Sequence, residues 1–272
     1  MADRPKALIM TAPGINCDEE LCEAFELAGA TPVRVHINRL SEDPALLDAA
    51  DLIGLPGGFS YGDAVAAGRI AAQLIRSHLW SGLMRAVERG VPMIAPCNGF
   101  QIAVQAGLLP GPGKGTSWPA APSAAEVALV DNESARFIDK WVNVDYPADT
   151  VCVWTRGLET GGGPSLLPIA HGEGRFIAGG QLEHLEEAGQ VAVRYAEGDN
   201  PNGSDGGIAG ICDASGLILG LMPHPERYTR WTQHPFWTRL DEADRQGDTP
   251  GLAMFRNAVT WVNARRASVV EA

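Results

Sequence analysis

Short apolar runs alternate with segments of helical period through the first hundred residues. Residues 6–11 (KALIMT) form an apolar run closed by Pro13-Gly14 and predict a strand. Residues 18–28 predict a helix. Leu21, Phe25 and Ala28 fall at i, i+4 and i+7, acids fill the first turn, and Gly29 stands at the C-terminal stop. The same reading predicts strands over 32–37, 51–55 and 91–95, and helices over 63–79, 81–89 and 99–106. Strand and helix in alternation predict an α/β fold with an open, mainly parallel sheet flanked by helices.

The pattern changes after Leu109. Residues 110–123 (PGPGKGTSWPAAPS) are rich in Pro, Gly and Ser and predict a surface loop insertion. Strand-like runs follow at 126–130, 137–144, 191–195, 207–212 and 217–222, with a hairpin signal at Asp213-Ala214-Ser215-Gly216. They predict β-additions in the second half on the same sheet, hence one domain over 1–272. Thr249-Pro250 opens a last helix whose apolar face is Leu252, Phe255, Val259 and Val262.

Composition narrows the class. Apolar residues are 45% and charged residues 20%, as in an ordinary globular chain. The 33 acids against 21 bases leave a formal charge of −12, which argues against nucleic-acid binding, since that needs an excess or a stripe of Lys and Arg. No apolar run nears the ~20 residues of a membrane helix, and no basic-then-apolar leader opens the chain. Cys17, Cys22, Cys97, Cys152 and Cys212 are scattered, with no C-x-x-C pair and no zinc spacing. A reduced, cytoplasmic protein is expected. Gly113-Lys114-Gly115-Thr116 is not a phosphate loop, because Leu108 and Gly115 stand where that motif needs Gly and Ser or Thr.

Three segments carry candidate chemistry. In Ile94-Ala95-Pro96-Cys97-Asn98-Gly99, an apolar strand runs into a Cys and a helix follows at once. That is the strand–nucleophile–helix turn, although Ala95 stands where the elbow pattern has Gly. A helix N-terminus favours the thiolate. A buried structural Cys fits the segment equally well. In Pro223-His224-Pro225-Glu226, extended backbone puts His224 and Glu226 on one side, as base and orienting carboxylate. A polar loop stiffened by two prolines is the alternative. Gly57-Gly58 ends a strand with backbone N–H groups unobstructed, which suits an oxyanion hole or an ordinary turn.

The order of these parts is more specific than any one of them. GGFSYGD (57–63), CNGFQ (97–101), IAHGEGR (169–175), NPNGS (200–204), IAGI (208–211), MPHPER (222–227) and APGINCD (12–18) together resemble the class I, triad-type glutamine amidotransferases. Within them the chain is most similar to the glutaminase subunits of phosphoribosylformylglycinamidine synthase, from residue 6 to about 262. It departs from that branch at Ala95-Pro96, where Gly and an aliphatic residue are common, and at Ala64-Val65-Ala66, where Tyr-Leu-Arg is common.

The resemblance implies a flavodoxin-like, class I amidotransferase fold. It implies Cys97 as nucleophile, His224 as proton relay and Glu226 as orienter, with backbone N–H groups of Gly58 and Asn98 at the oxyanion. Gly57, Gln101, His171, Gly172 and Glu173 would bind glutamine. It implies no metal and no cofactor on this chain. ATP and magnesium would sit on a partner synthetase that converts formylglycinamide ribonucleotide to its amidine, with a small accessory subunit in the complex. A class I amidotransferase serving another synthetase, a free-standing cysteine hydrolase and a silent scaffold subunit are the competing readings.

Overall fold

The computed structural model describes residues 4–158 and 165–270. Its first strand, β1 (Lys6–Thr11), buries Ala7, Leu8, Ile9 and Met10 in succession, so both faces of the strand are covered. Helix α1 (Asp18–Ala28) follows, with Leu21, Ala24, Phe25 and Ala28 buried and Gly29 closing it in the left-handed conformation at φ 100°. Next come β2 (Thr31–His36), α2 (Ile37–Glu42), β3 (Leu52–Gly54), α3 (Arg69–Leu74) and α4 (Trp80–Glu88). The predicted elbow is β4 (Met93–Pro96) running into α5 (Asn98–Ala106).

The second half holds β5 (Ala128–Val130), β6 (Ile138–Asp145), β7 (Leu166–His171), β8 (Arg175–Ile177), α6 (Leu182–Glu187) and β9 (Val191–Tyr195). It ends with β10 (Ile208–Cys212), β11 (Ile218–Leu221) and α7 (Pro250–Val270). One nine-stranded sheet runs β2-β1-β3-β4-β11-β10-β9-β6-β7, and β5 pairs with β8 apart from it. The five strands from β2 to β11 are parallel, and the pairings from β11 through β7 are antiparallel. The β-additions thus extend the parallel half edge to edge.

Helices cover both faces. On one side α1 and α7 meet, with Phe25 edge-on to Phe255 at 5.1 Å between centroids. On the other, Ile75, Leu79, Leu83, Phe100 and Val104 pack from the α3–α5 layer. This layering brings the C-terminal ends of β3, β4 and β11 together, the place where open α/β sheets bind ligands.

Three local departures from the pattern have physical causes. The predicted helix over 63–79 begins only at Arg69, because the chain before it wraps around residues 13–16. Phe59 N donates to Gly14 O at 2.9 Å and Tyr61 N to Pro13 O at 2.7 Å, while Tyr61 and Asp63 hold positive φ. That helix then runs through one π turn (Ile75–Leu79) into α4. Strand β7 lacks a sequence signal because Pro168 interrupts it, and it survives because it lies at the sheet edge. In the 110–123 stretch no helix or strand forms; Trp118 leans on Trp80, and Arg76 donates to the carbonyls of Pro122 and Ser123.

Candidate active site

Cys97 sits where β4 turns into α5, at φ 50° and ψ −110°. A side chain in this left-handed region is strained, as nucleophile elbows are. The surrounding backbone over-determines it. Cys97 N donates to Leu221 O of β11 at 2.7 Å, and Phe100 N and Gln101 N both return to Cys97 O. The helix can start this abruptly because Gly99 lies against β3. A methyl at Gly99 would stand 1.9 Å from the Leu55 carbonyl oxygen.

His224 and Glu226 follow β11 on the next loop. His224 Nδ1 and Glu226 Oε1 are 2.6 Å apart, with both side chains buried. His224 N donates to Pro168 O of β7 at 2.8 Å, so the parallel and antiparallel halves jointly fix the imidazole. Burial alone would push that imidazole down. The Glu226 carboxylate and the Cys97 thiol outweigh it and hold the pKa well above 6.5. Glu226 therefore orients the ring and stabilises its cationic form. Gly57 leaves room for the assembly: a methyl there would be 2.8 Å from His224 Cε1 and 3.3 Å from Cys97 Cβ.

The thiol faces a cavity of about 200 Å³ lined by Gly58, Gln101, His171, Gly172 and Glu173 together with Cys97. Five of the residues predicted for the oxyanion and glutamine sites thus meet there beside Cys97. The other two, Gly57 and Asn98, adjoin Cys97 in space or in sequence but are not among the lining residues. Asn98 is fully buried, and its side chain accepts from Ser60 N at 3.2 Å and donates to Gln101 Oε1 at 2.8 Å. Gln101 in turn donates to the Glu173 carbonyl at 2.5 Å. The chain Ser60–Asn98–Gln101–Glu173 ties the Gly-Gly loop, the elbow helix and the HGEG loop into one frame.

His171 is held by the Asn132 side chain, Nδ1 to Oδ1 at 3.0 Å, and Gly174 N donates to the same oxygen at 3.1 Å. With Asn132 Oδ1 accepting, Nδ1 carries the proton and Nε2 presents a buried lone pair without a partner. Burial, helped by the His224 charge, pushes the His171 pKa down to about 4. His171 is therefore neutral at neutral pH and does not repel the His224 imidazolium.

Sequence reasoning missed several residues of the cavity. Asp131, Arg136 and Phe137 line it from the β5–β6 loop, and Asp63 lines it from the Gly-Gly loop. Burial raises the Asp63 carboxyl above its usual range, against a hydrogen bond from the Gly68 backbone, and the Glu173 charge adds to it. The signal for the loop was a polar run, Asp131-Asn132-Glu133-Ser134, set between two strand-like segments. A cavity lined by the carboxylates of Asp63, Asp131 and Glu173 and by the guanidinium of Arg136 suits a free α-amino acid, which carries both charges.

Residues 4–262 match the CobB/CobQ-like glutamine amidotransferase domain. The chain belongs to this glutamine amidotransferase family. It is 40% identical to the phosphoribosylformylglycinamidine synthase subunit PurQ of Dehalococcoides mccartyi, over 94% of this chain and 97% of that one. It is 36% identical to the PurQ subunit of Methanococcus maripaludis, over 95% and 98%. Among solved structures, a chain of PurLQS from Thermotoga maritima superposes with a TM-score of 0.69 at 34% identity, covering 95% of this chain and 99% of that one. A second glutamine amidotransferase from the same organism shares the fold at TM-score 0.53 and 12% identity.

Proposed function

We propose that this amidotransferase hydrolyses glutamine and hands the ammonia to a partner synthetase. That synthetase makes formylglycinamidine ribonucleotide from formylglycinamide ribonucleotide and ATP, a step of purine biosynthesis. The observation that carries the reading is the elbow-strained Cys97 beside a buried His224–Glu226 pair at 2.6 Å, in a chain similar to PurQ subunits over nearly its whole length.

The geometry supports a two-step mechanism. With the Cys97 proton held on His224, the thiolate attacks the side-chain carbonyl carbon of glutamine. The backbone N–H groups of Gly58 and Asn98 stabilise the oxyanion. His224 returns the proton to the leaving ammonia, a glutamyl thioester remains, and His224 then activates water to release glutamate. Glu226 keeps the imidazole oriented throughout. Asp63, Glu173 and Arg136 bind the α-ammonium and α-carboxylate, and His171 Nε2 accepts from the amide NH₂.

ATP and its magnesium belong to the synthetase in this reading, and no metal or cofactor takes part on this chain. A similar chain forms part of an assembly named PurLQS, which supports a synthetase partner. No helix of the described residues is long and apolar enough to cross a membrane, in keeping with work in the cytoplasm.

Reconstitution tests the proposal. The chain is combined with synthetase, accessory subunit, ATP, formylglycinamide ribonucleotide and glutamine. Amidine formation should need this chain and Cys97, while added ammonia should bypass both. Ammonia-driven product without any glutamine-driven product would move the chain to a different partner or acceptor.

A further inference from the structure

A second cavity, of about 510 Å³, lies at the other end of the parallel strands from Cys97. Ala50 and Asp51 line it just before β3 begins, and Gly90 and Val91 just before β4, whereas Cys97 directly follows β4. Helix α7 forms the facing wall through Trp261, Val262, Arg265 and its neighbour Arg266. Glutamine hydrolysis gives this place no task.

The floor of the cavity is apolar, with Ala50, Val91 and Val262 buried, and its charge is positive. Three guanidinium groups line it against one carboxylate, that of Asp51. Asp51 Oδ2 is already engaged, accepting from Lys6 N at 2.7 Å and from Arg266 Nη2 at 2.6 Å. Arg89 keeps Nη1 on Asp48 at 3.3 Å and Nη2 on the Leu47 carbonyl at 3.0 Å, which leaves part of its five-donor fork open. Arg265 makes no ion pair and no side-chain hydrogen bond with any described residue. It is nevertheless placed. A methyl at Gly90 would stand 1.9 Å from Arg265 Nη1, so a glycine, here at φ 65°, lets the guanidinium rest against the cavity wall.

Trp261 adds aromatic surface. It is half-buried, and its indole Nε1 is buried with no acceptor among the described residues. Buried donors are nearly always paired, so this one is an opening for an acceptor from outside the chain. An aromatic wall, an apolar floor and an unpaired guanidinium suit a planar heteroaromatic ring that carries an anion. A phosphate, with up to two charges, matches Arg265 and the open edge of Arg89 better than a single carboxylate does. The volume falls within the ~300–1,000 Å³ of small-molecule sites.

We propose that this cavity binds a nucleoside monophosphate, with the base against Trp261 and the phosphate on Arg265 and Arg89. The cavity shares no residue with the one that Cys97 lines, so the proposal stands apart from the glutaminase reading.

Calorimetric titration of the full chain tests it. The ligands are adenosine, guanosine, cytidine and uridine monophosphates in turn, then the matching nucleoside and inorganic phosphate alone. One saturable site per chain is expected for at least one monophosphate, at least about tenfold tighter than for either fragment. Arg265→Gln should weaken the monophosphate by at least about tenfold, as loss of a charge-assisted bond does, and leave the nucleoside unchanged. Arg265→Lys, which keeps the charge, should recover part of that loss. Trp261→Leu should weaken monophosphate and nucleoside alike by about fivefold or more. Thermal unfolding checks that each variant folds, and Arg265 is exposed, so its exchange leaves the core intact. Absence of saturable binding by all four monophosphates would overturn the proposal. So would inorganic phosphate binding as tightly as the nucleotide, or an affinity unchanged in the folded Arg265→Gln variant.

Discussion

At Cys97 the fold holds a side-chain-bearing residue in a sparsely populated backbone conformation that costs about 1–3 kcal/mol, offset by the bonds to Leu221 and along α5. The reward is a thiol projected beyond the strand end toward His224. The role of Glu226 is separable from that strain. Glu226→Gln keeps the shape and removes the charge that stabilises the imidazolium. It should lower kcat for glutamate release by about 100-fold or more and change KM much less. Steady-state kinetics at saturating glutamine checks this, and an unchanged kcat would remove Glu226 from the mechanism.

His171 adds a pH dependence of known sign. Its native pKa of about 4 lies below the ordinary value of 6.5, so under acid conditions the unfolded chain binds a proton that the native chain refuses. Stability is therefore full above pH 6.5 and falls as pH drops toward 4, by up to about 3 kcal/mol. His224 shifts the other way, so its contribution grows as pH falls through 6.5 and offsets part of the loss at the top of this window, while below about pH 5.5 both states hold its proton. Urea midpoints at pH 7 and 4.5 should converge in His171→Gln. An equal pH loss in that variant would assign the effect to other groups.

At the scale of elements, two junctions set the site. Helix α5 can approach β3 because position 99 has no side chain. In Gly99→Ala the new methyl meets the Leu55 carbonyl, and the helix start must retreat. The expected cost is about 1–3 kcal/mol of stability, and, with the Asn98 N–H displaced, on the order of 100-fold in kcat. Thermal unfolding alongside glutaminase assays tests both together. At α7, Thr249 Oγ1 accepts from Leu252 N at 3.3 Å and reaches the Tyr228 carbonyl. Thr249→Ala should cost about 1 kcal/mol in urea unfolding and leave the Cys97 chemistry unaltered.

Over the whole molecule, an acidic surface is interrupted at the mouth of the cavity that Cys97 lines. Phe59 and Phe137 are 45% and 53% exposed there, with ring centroids 6.3 Å apart, and Val65 is exposed nearby in the segment that departs from the branch pattern. An apolar rim around a site that must release ammonia without losing it to water fits the synthetase contact. Phe137→Glu should weaken assembly with the synthetase by about tenfold or more, read by sedimentation, while the thermal midpoint of the free chain stays put. Unchanged assembly would place the interface elsewhere.

The chain by itself determined its local periods and its chemistry-bearing motifs. Cys97 before a helix, His224 two residues from Glu226, and Gly57-Gly58 after a strand are adjacent-residue facts, so they were legible without coordinates. So were α1, α5, α7 and the β10–β11 hairpin, whose apolar spacing and turn residues act over a few positions. The antiparallel half was legible as β-additions, and its pairing order was not. Residues far apart in sequence meet only through packing, and only the tertiary structure decided those meetings. It put Pro168 on an edge strand where a proline is tolerated, and joined Asn132 to His171 across 39 positions. It delayed the helix after Gly58 by wrapping that loop on residues 13–16, and it set Cys17 beside the His224 imidazole. Hydrogen bonds and burial at that range depend on the whole sheet closing its order, which no local window of sequence encodes.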